Sequence, residues 1–196
     1  TATQLVTITI TGTNDAPVIS TAVGGNADTA SESGVNPLDT AFAGDASASG
    51  TLTSMDVDTG ATATWSGNAT GTYGSFAINP TSGAWTYALN NADSDTNALA
   101  QGAVVTDSFT ATVTDDFGAT ATQLVTITIT GSNDAPVITT AVGGNVDTAS
   151  ESGVNPLDTA FAGDPSASGT LASSDVDTGA TAAWSGDATG TYGSFF

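Results

Sequence analysis

TATQLVTITITGTNDAPVI, residues 1–19, returns as TATQLVTITITGSNDAPVI at residues 120–138. Within it Val6, Ile8 and Ile10 alternate with Thr7, Thr9 and Thr11. Alternation with a period of two puts one set of side chains on each face, so the stretch reads as a half-buried β-strand. The two starts, Thr1 and Thr120, set a period of 119 residues. The second copy differs from the first at 9 of 77 positions, among them Thr13/Ser132, Ala46/Pro165 and Met55/Ser174. That period is too long for one turn of a solenoid and fits one whole domain per repeat. The expected organisation is residues 1–13 as the last strand of a preceding repeat, 14–132 as a complete repeat and 133–196 as an incomplete second one. The incomplete copy lacks counterparts of Ile78 to Gly131. Such a window is either a slice of a longer array or a chain that takes its missing strands from a neighbour.

The same period-two pattern recurs further along. Phe109, Ala111 and Val113 alternate with Thr110, Thr112 and Thr114, and Trp85, Tyr87 and Leu89 repeat it. Phe76 and Ile78 precede the turn cluster Asn79-Pro80-Thr81-Ser82-Gly83, after which Ala84 to Leu89 resumes, as in a hairpin. Asp115-Asp116-Phe117-Gly118 reads as a tight turn joining the last two strands. Ser20 to Ser49 is rich in Gly, Ala and Asp and reads as loops with one or two short strands. No helical periodicity stands out. Several short strands separated by turns predict an all-β fold of antiparallel, immunoglobulin-like β-sandwich repeats in tandem.

Composition narrows the chemistry. The 196 residues hold 20 acidic groups and no Lys, Arg, His or Cys, for a net charge of −20. Such a chain has nothing to neutralise phosphates, which argues against nucleic acid as a partner. A polybasic membrane contact fails for the same reason, and no apolar run is long enough for direct membrane insertion. A Ser-His pair, a thiolate nucleophile, a Schiff base and a zinc site of the usual ligands are all missing. Carboxylates and hydroxyls remain, and their natural partners are hard cations, Ca²⁺ first. Charged residues make up only 10% and apolar ones 39%, so the chain resembles a folded domain more than a disordered polyanion.

Three segments carry a family resemblance: SGTLTSMDVDTGATATW (residues 49–65), GTYGSFAINPTSGAWTYAL (71–89) and VTDSFTATVTDDFGATATQLVTITITGSNDAPV (105–137). In this order, and with the first returning in the second copy, they resemble the VCBS repeat of very large secreted bacterial surface proteins. The resemblance implies a cadherin-like β-sandwich, an extracellular location at the bacterial cell surface, and roles in adhesion and biofilm.

The candidate site is a set of acidic turns. Asn14-Asp15-Ala16-Pro17 and Asn133-Asp134-Ala135-Pro136 are similar to the Asn-Asp-x-Pro junction of cadherins, whose carboxylate helps to bind Ca²⁺. An ordinary Asx turn before Pro is the alternative. Asp56-Val57-Asp58-Thr59-Gly60 recurs as Asp175-Val176-Asp177-Thr178-Gly179, and two carboxylates at i and i+2 can face one hard cation. It is not an EF-hand, because the third acidic ligand is missing and Gly67 stands where the Glu belongs. In an immunoglobulin-like sandwich these loops share a pole. Asn14, Asp15, Asp56, Asp58, Asp115 and Asp116 are therefore expected to converge, with Asn133, Asp134, Asp175 and Asp177 as the second set. Like charges at ~5 Å repel by several kcal/mol at low effective dielectric, which a bound cation relieves. The alternative is solvated turn carboxylates facing apart.

Other residues weigh less. Glu32 and Glu151, the only glutamates, are expected to be solvated loop residues, although either could join a cation site. The Asp58-Thr59-Gly60 and Asp177-Thr178-Gly179 triplets match aspartic proteases in letters only, since each follows an Asp on a turn of a separate repeat. No catalytic residue is assigned. Trp65, Trp85, Tyr73, Tyr87, Phe76 and Phe109 are expected in the core, and Trp184 and Tyr192 repeat two of them. The expected function is a Ca²⁺-stiffened structural or adhesive spacer whose partners are neighbouring repeats. The alternatives are a subunit of a self-assembling filament or surface layer, formed by strand exchange between copies, and a glycan-binding module. A glycan ligand could also belong to another part of the parent protein.

Overall fold

The computed structural model describes residues 1–35, 40–154, 156–186 and 188–195. In chain order the first elements are Val18–Ile19 (β1), Ala27–Ser31 (β2), Gly34–Val35 (β3), Ala41–Phe42 (β4), Ser47–Thr51 (β5) and Ser54–Met55 (β6). Ala63–Ser66 (β7), Ala69–Thr70 (β8), Gly74–Ile78 (β9) and Ala84–Leu89 (β10) follow. A one-turn helix, Ser94–Asn97 (α1), precedes the long strands Val104–Asp115 (β11) and Thr120–Thr130 (β12).

Two four-stranded sheets face each other, in the orders β5-β10-β9-β8 and β2-β12-β11-β7. The alternating residues do what the pattern requires. Val125, Ile127 and Ile129 of β12 are fully buried, while Thr126, Thr128 and Thr130 lie on the other face. The β9–β10 hairpin forms across Asn79–Gly83 with Trp85 opposite Ile78. The aromatics named above are core in this unit: Trp65, Trp85, Tyr87, Phe76 and Phe109 are buried, and Phe76 stacks on Phe109 with centroids 5.0 Å apart. Burying each such side chain is worth about 1.5–3 kcal/mol, and the cluster packs with Leu52, Val113, Val125, Ile127 and Ile129 in one core.

Three features depart from the sequence reading. Ser20 to Ser49 holds four strands rather than one or two, and β2 is a full member of a main sheet. Strand β2 also runs parallel to β12, Thr126 against Ala27 through Thr130 against Ser31, whereas the other pairs are antiparallel. The short helix α1 was not foreseen either; it is capped by Asp93, whose side chain accepts from the Asp95 amide.

An acid inside the core is also new. Asp107 occupies an inward position of β11 and is 5% exposed. Its carboxylate accepts from the Thr72 and Tyr73 amides at 3.1 Å and from the Tyr87 hydroxyl at 2.8 Å, which pins the β8–β9 turn to the sandwich. Burial and this carboxylate push the Tyr87 hydroxyl well above the ordinary tyrosine range.

Among the described residues of the second copy the strands form two-stranded pairs: Val137–Ile138 (β13) with Ser173–Ser174 (β16), Gly153–Val154 (β14) with Ala160–Phe161 (β15), and Ala188–Thr189 (β17) with Ser194–Phe195 (β18). Each matches a pair of the first copy 119 residues earlier, as β1 with β6 matches β13 with β16. Trp184 is 49% exposed where its counterpart Trp65 is 5% exposed, since no four-stranded sheet lies over it among the described residues. Leu5, Val6, Ile8 and Ile10 are exposed, and residues 1–12 pair with no strand among the described residues.

Candidate functional site

The pole at which the complete repeat begins is built by three turns. At the β11–β12 turn, Asp115 accepts from the Phe117 amide at 2.9 Å and the Ala119 amide at 2.8 Å through Oδ1. Its other oxygen accepts from the Asn14 side-chain amide at 2.9 Å. The Asn14 amide, with the turn amides behind it, holds the Asp115 carboxyl below the usual carboxylate range. The Asp56-Val57-Asp58 turn closes on itself, the Asp58 amide donating to Asp56 Oδ1 at 2.9 Å. Asp58 Oδ2 then accepts from the Asp15 amide at 2.8 Å, which ties this turn to the entering linker. Asp116 accepts from the Thr62 amide at 3.0 Å and from the Thr62 hydroxyl. A cleft of about 250 Å³ lies between Asn14, Asp58, Asp115 and Asp116.

The sequence-derived residues thus gather at one pole, but not as six equivalent oxygen donors. Asp115 is committed to the turn and to Asn14. Asp15 is joined to Asp58 through its backbone amide. Asp56 keeps one buried oxygen, Oδ2, without a hydrogen-bond partner.

At the junction between the copies the pattern repeats in part. The Asp177 amide donates to Asp175 Oδ1 at 3.0 Å, and the Asp134 amide donates to Asp177 Oδ2 at 2.9 Å. The Asn133 side chain donates to the Asp134 carbonyl, and the Asn133 amide donates to the Gln101 side chain. Here the acids sit deeper. Asp177 is 8% exposed, whereas its counterpart Asp58 is only half-buried. The reason is contact with the complete repeat: the Thr178 amide donates to the Ala98 carbonyl at 3.0 Å, and the Val35 amide to the Asn133 carbonyl at 2.6 Å. Burial, with the Asp177 and Asp175 charges behind it, raises the Asp134 carboxyl above its ordinary range.

Glu32 corrects the sequence reading. It is 0% exposed, not a solvated loop residue. The Ser132 amide donates to its Oε2 at 3.1 Å, and the Ser132 hydroxyl donates to its backbone carbonyl at 3.2 Å. Burial is the main cause that raises the Glu32 carboxyl to about 7; the Ser132 amide opposes it, and the charges of Asp134 and Asp177 add to it. The burial was illegible locally because it comes from Ser132, a hundred residues away. The one signal was rarity: Glu32 and its counterpart Glu151 are the only glutamates in a chain whose other acids are all aspartates. Glu151, its counterpart, is exposed, as the sequence reading expected.

A hard cation fits the donor set in kind, since every donor is oxygen and three buried carboxylate oxygens besides that of Asp56 have no partner: Glu32 Oε1, Asp134 Oδ2 and Asp177 Oδ1. Among the described residues no group of three or more acidic side chains is already closed around a point that could hold a metal ion. Among the described residues, too, no helix is long and apolar enough to cross a membrane.

Comparison with known proteins places the molecule. The model of the bacterial cadherin-like domain matches residues 14–131, more than half of the chain. Among curated proteins none matches. The chain belongs to the bacterial cadherin-like domain family.

Proposed function

We propose that this chain is a structural and adhesive extracellular module, a spacer whose repeat-to-repeat junction is stiffened by Ca²⁺. The observation that carries the reading is the gathering of Asp134, Asp175 and Asp177 on the linker between the copies, matched by Asp15, Asp56 and Asp58 one repeat earlier, in a chain without a basic side chain. Bound Ca²⁺ would supply the positive charge that the polypeptide lacks. The protein's own part is positional: Asp58 and Asp177 hold the linker amides, Asp115 holds Asn14, and Pro17 and Pro136 limit the linker's torsions. The family's cadherin-like character supports an extracellular, non-catalytic role, and the motifs at residues 49–65, 71–89 and 105–137 support the narrower VCBS assignment within it.

A second reading, assembly by strand addition between chains, is supported by the exposure of Leu5, Val6, Ile8 and Ile10. The glycan-binding alternative finds no exposed tryptophan in the complete repeat, where Trp65 and Trp85 are both buried, and rests on Trp184 and Tyr192 of the second copy, which are exposed.

The test is a calcium titration by calorimetry with a thermal melt in calcium and in chelator. The expected result is binding and an upward shift of the melt. Asp175→Ala with Asp177→Ala should abolish the shift at the junction between the copies. A melt that calcium does not move would contradict the reading.

A further inference from the structure

We propose that the Asp164–Pro165 peptide bond is an acid-cleavable link, at which the second copy is cut by attack of the Asp164 carboxyl on its own backbone carbonyl. This is independent of the calcium reading. Residues 31–45 and 150–164 are identical in sequence, and the residue that follows differs: Ala46 in the first copy, Pro165 in the second. The difference changes the leaving group. The Pro165 nitrogen is a ring member without a hydrogen, so it departs as a secondary amine. A tertiary amide nitrogen also takes up a proton more readily than a secondary one. The surroundings of the bond favour the attack. The Asp164 carbonyl oxygen accepts from the Ser150 amide at 2.6 Å. That donor stabilises the negative charge which forms on the oxygen as the carboxyl adds. The Asp164 amide is fixed from the same side, donating to the Ser150 carbonyl at 3.0 Å and to the Ser150 hydroxyl at 2.8 Å. Asp164 Oδ1 accepts from the Ser166 amide at 3.2 Å and the Ser166 hydroxyl at 3.0 Å, which holds the carboxyl beside the bond. Asp164, Pro165 and Ser166 are exposed, so water reaches them.

The first copy serves as an internal control. Its Asp45 is gripped in the same way: the Ser31 amide donates to the Asp45 carbonyl at 2.8 Å, and the Asp45 amide to the Ser31 hydroxyl at 2.8 Å. The Ser47 amide and hydroxyl donate to Asp45 Oδ1 at 3.1 and 2.9 Å. A left-handed glycine precedes each aspartate, Gly44 at φ 65° and Gly163 at φ 68°. Carboxyl and carbonyl donor are thus alike, and only the proline is missing. In the step itself a carboxyl oxygen of Asp164 bonds to the Asp164 carbonyl carbon, and the carboxyl proton passes to the Pro165 nitrogen. The carbon–nitrogen bond breaks and leaves a five-membered cyclic anhydride, a covalent intermediate of a carboxylate nucleophile. Water opens the anhydride to a C-terminal aspartate, and Pro165 becomes a new N-terminus. The pairing of β13 with β16 and the bond from the Thr178 amide to the Ala98 carbonyl both span the cut. After scission the pieces are therefore joined by non-covalent contacts alone, and an array under load would part here in acid.

The test is mass spectrometry in denaturant of the 196-residue chain after incubation at about pH 3.5 and at about pH 7, where carboxyl groups are mostly protonated and fully ionised respectively. The expected result is a pair of fragments, residues 1–164 and 165–196, at the lower pH and none at the higher. The cut should be faster by on the order of tenfold or more in the folded chain than in the same chain unfolded by urea at the same pH, because urea removes the Ser150 donor. Pro165→Ala should lose the cut. Ala46→Pro should add a second one after Asp45, where the donors are already in place. If Ala46→Pro disturbs folding, Pro165→Ala against the wild-type chain still decides. A wild-type chain that stays whole at the lower pH would overturn the inference. A cut equally fast in urea would also overturn it, since the fold would then add nothing to the bond's chemistry.

Discussion

Glu32 is where a single side chain is most exposed to its surroundings' chemistry. Its folded pKa, about 7, stands above the ordinary 4.5, so the folded state binds a proton more tightly than the unfolded chain. The stability gained from that proton is complete below pH 4.5 and is lost as the pH rises through 7. In chelator, the melting temperature is therefore expected to fall between about pH 5 and 7.5, and Glu32→Gln should flatten that fall. A wild-type profile already flat across this window would contradict the burial assigned to Glu32. Asp115 has the opposite sign: its pKa is depressed by the Asn14 amide, so its contribution is present above 3.8 and is lost only as the pH falls further. The two groups thus act in separate ranges. Sequence reading found Asp115 because it lies in a recognisable turn between two alternating strands. It misjudged Glu32 because nothing in residues 31–35 reports the Ser132 amide that covers it.

At the scale of elements, strands with strong two-fold alternation were legible and those without it were not. Strand β12 announces itself through Val125, Ile127 and Ile129, and the β9–β10 hairpin through its Asn79–Gly83 turn. Strands β2 and β5 read as ADTAS and SASGT, with too few apolar side chains to show a period. Their place is fixed instead by long-range partners: β12 beside β2, and β10 beside β5. Gly50 in β5 shows the same dependence. The Trp85 ring lies over it, and a β-carbon there would stand 2.6 Å from the ring and 2.7 Å from the Gly25 carbonyl. That carbonyl accepts the Trp85 indole N–H at 2.8 Å. Gly50→Ala should therefore cost about 1–3 kcal/mol by displacing the ring, read as a lower urea midpoint with an unchanged slope. The same change at Gly153, where a β-carbon would meet nothing within 4 Å, should cost less. Equal losses at the two positions would contradict the packing described.

The whole molecule carries a charge of −20 with no Lys, Arg or His to offset it, and four of its acids, Glu32, Asp134, Asp175 and Asp177, lie where one copy meets the next. Without a cation, those acids repel across a linker held by a few hydrogen bonds, Val35 to Asn133 and Thr178 to Ala98 among them. In the proposed reading, bound Ca²⁺ would turn the repulsion into attraction to a shared ion and fix the two copies against one another. The most direct measurement is small-angle X-ray scattering on the 196-residue chain at matched ionic strength, in calcium and then in chelator. An ion-stiffened junction predicts a longer maximum dimension and a narrower distance distribution in calcium, reversed by the chelator, at constant scattering mass. A scattering mass that grows in calcium would instead favour assembly between chains. A maximum dimension that calcium and chelator leave unchanged would contradict the account.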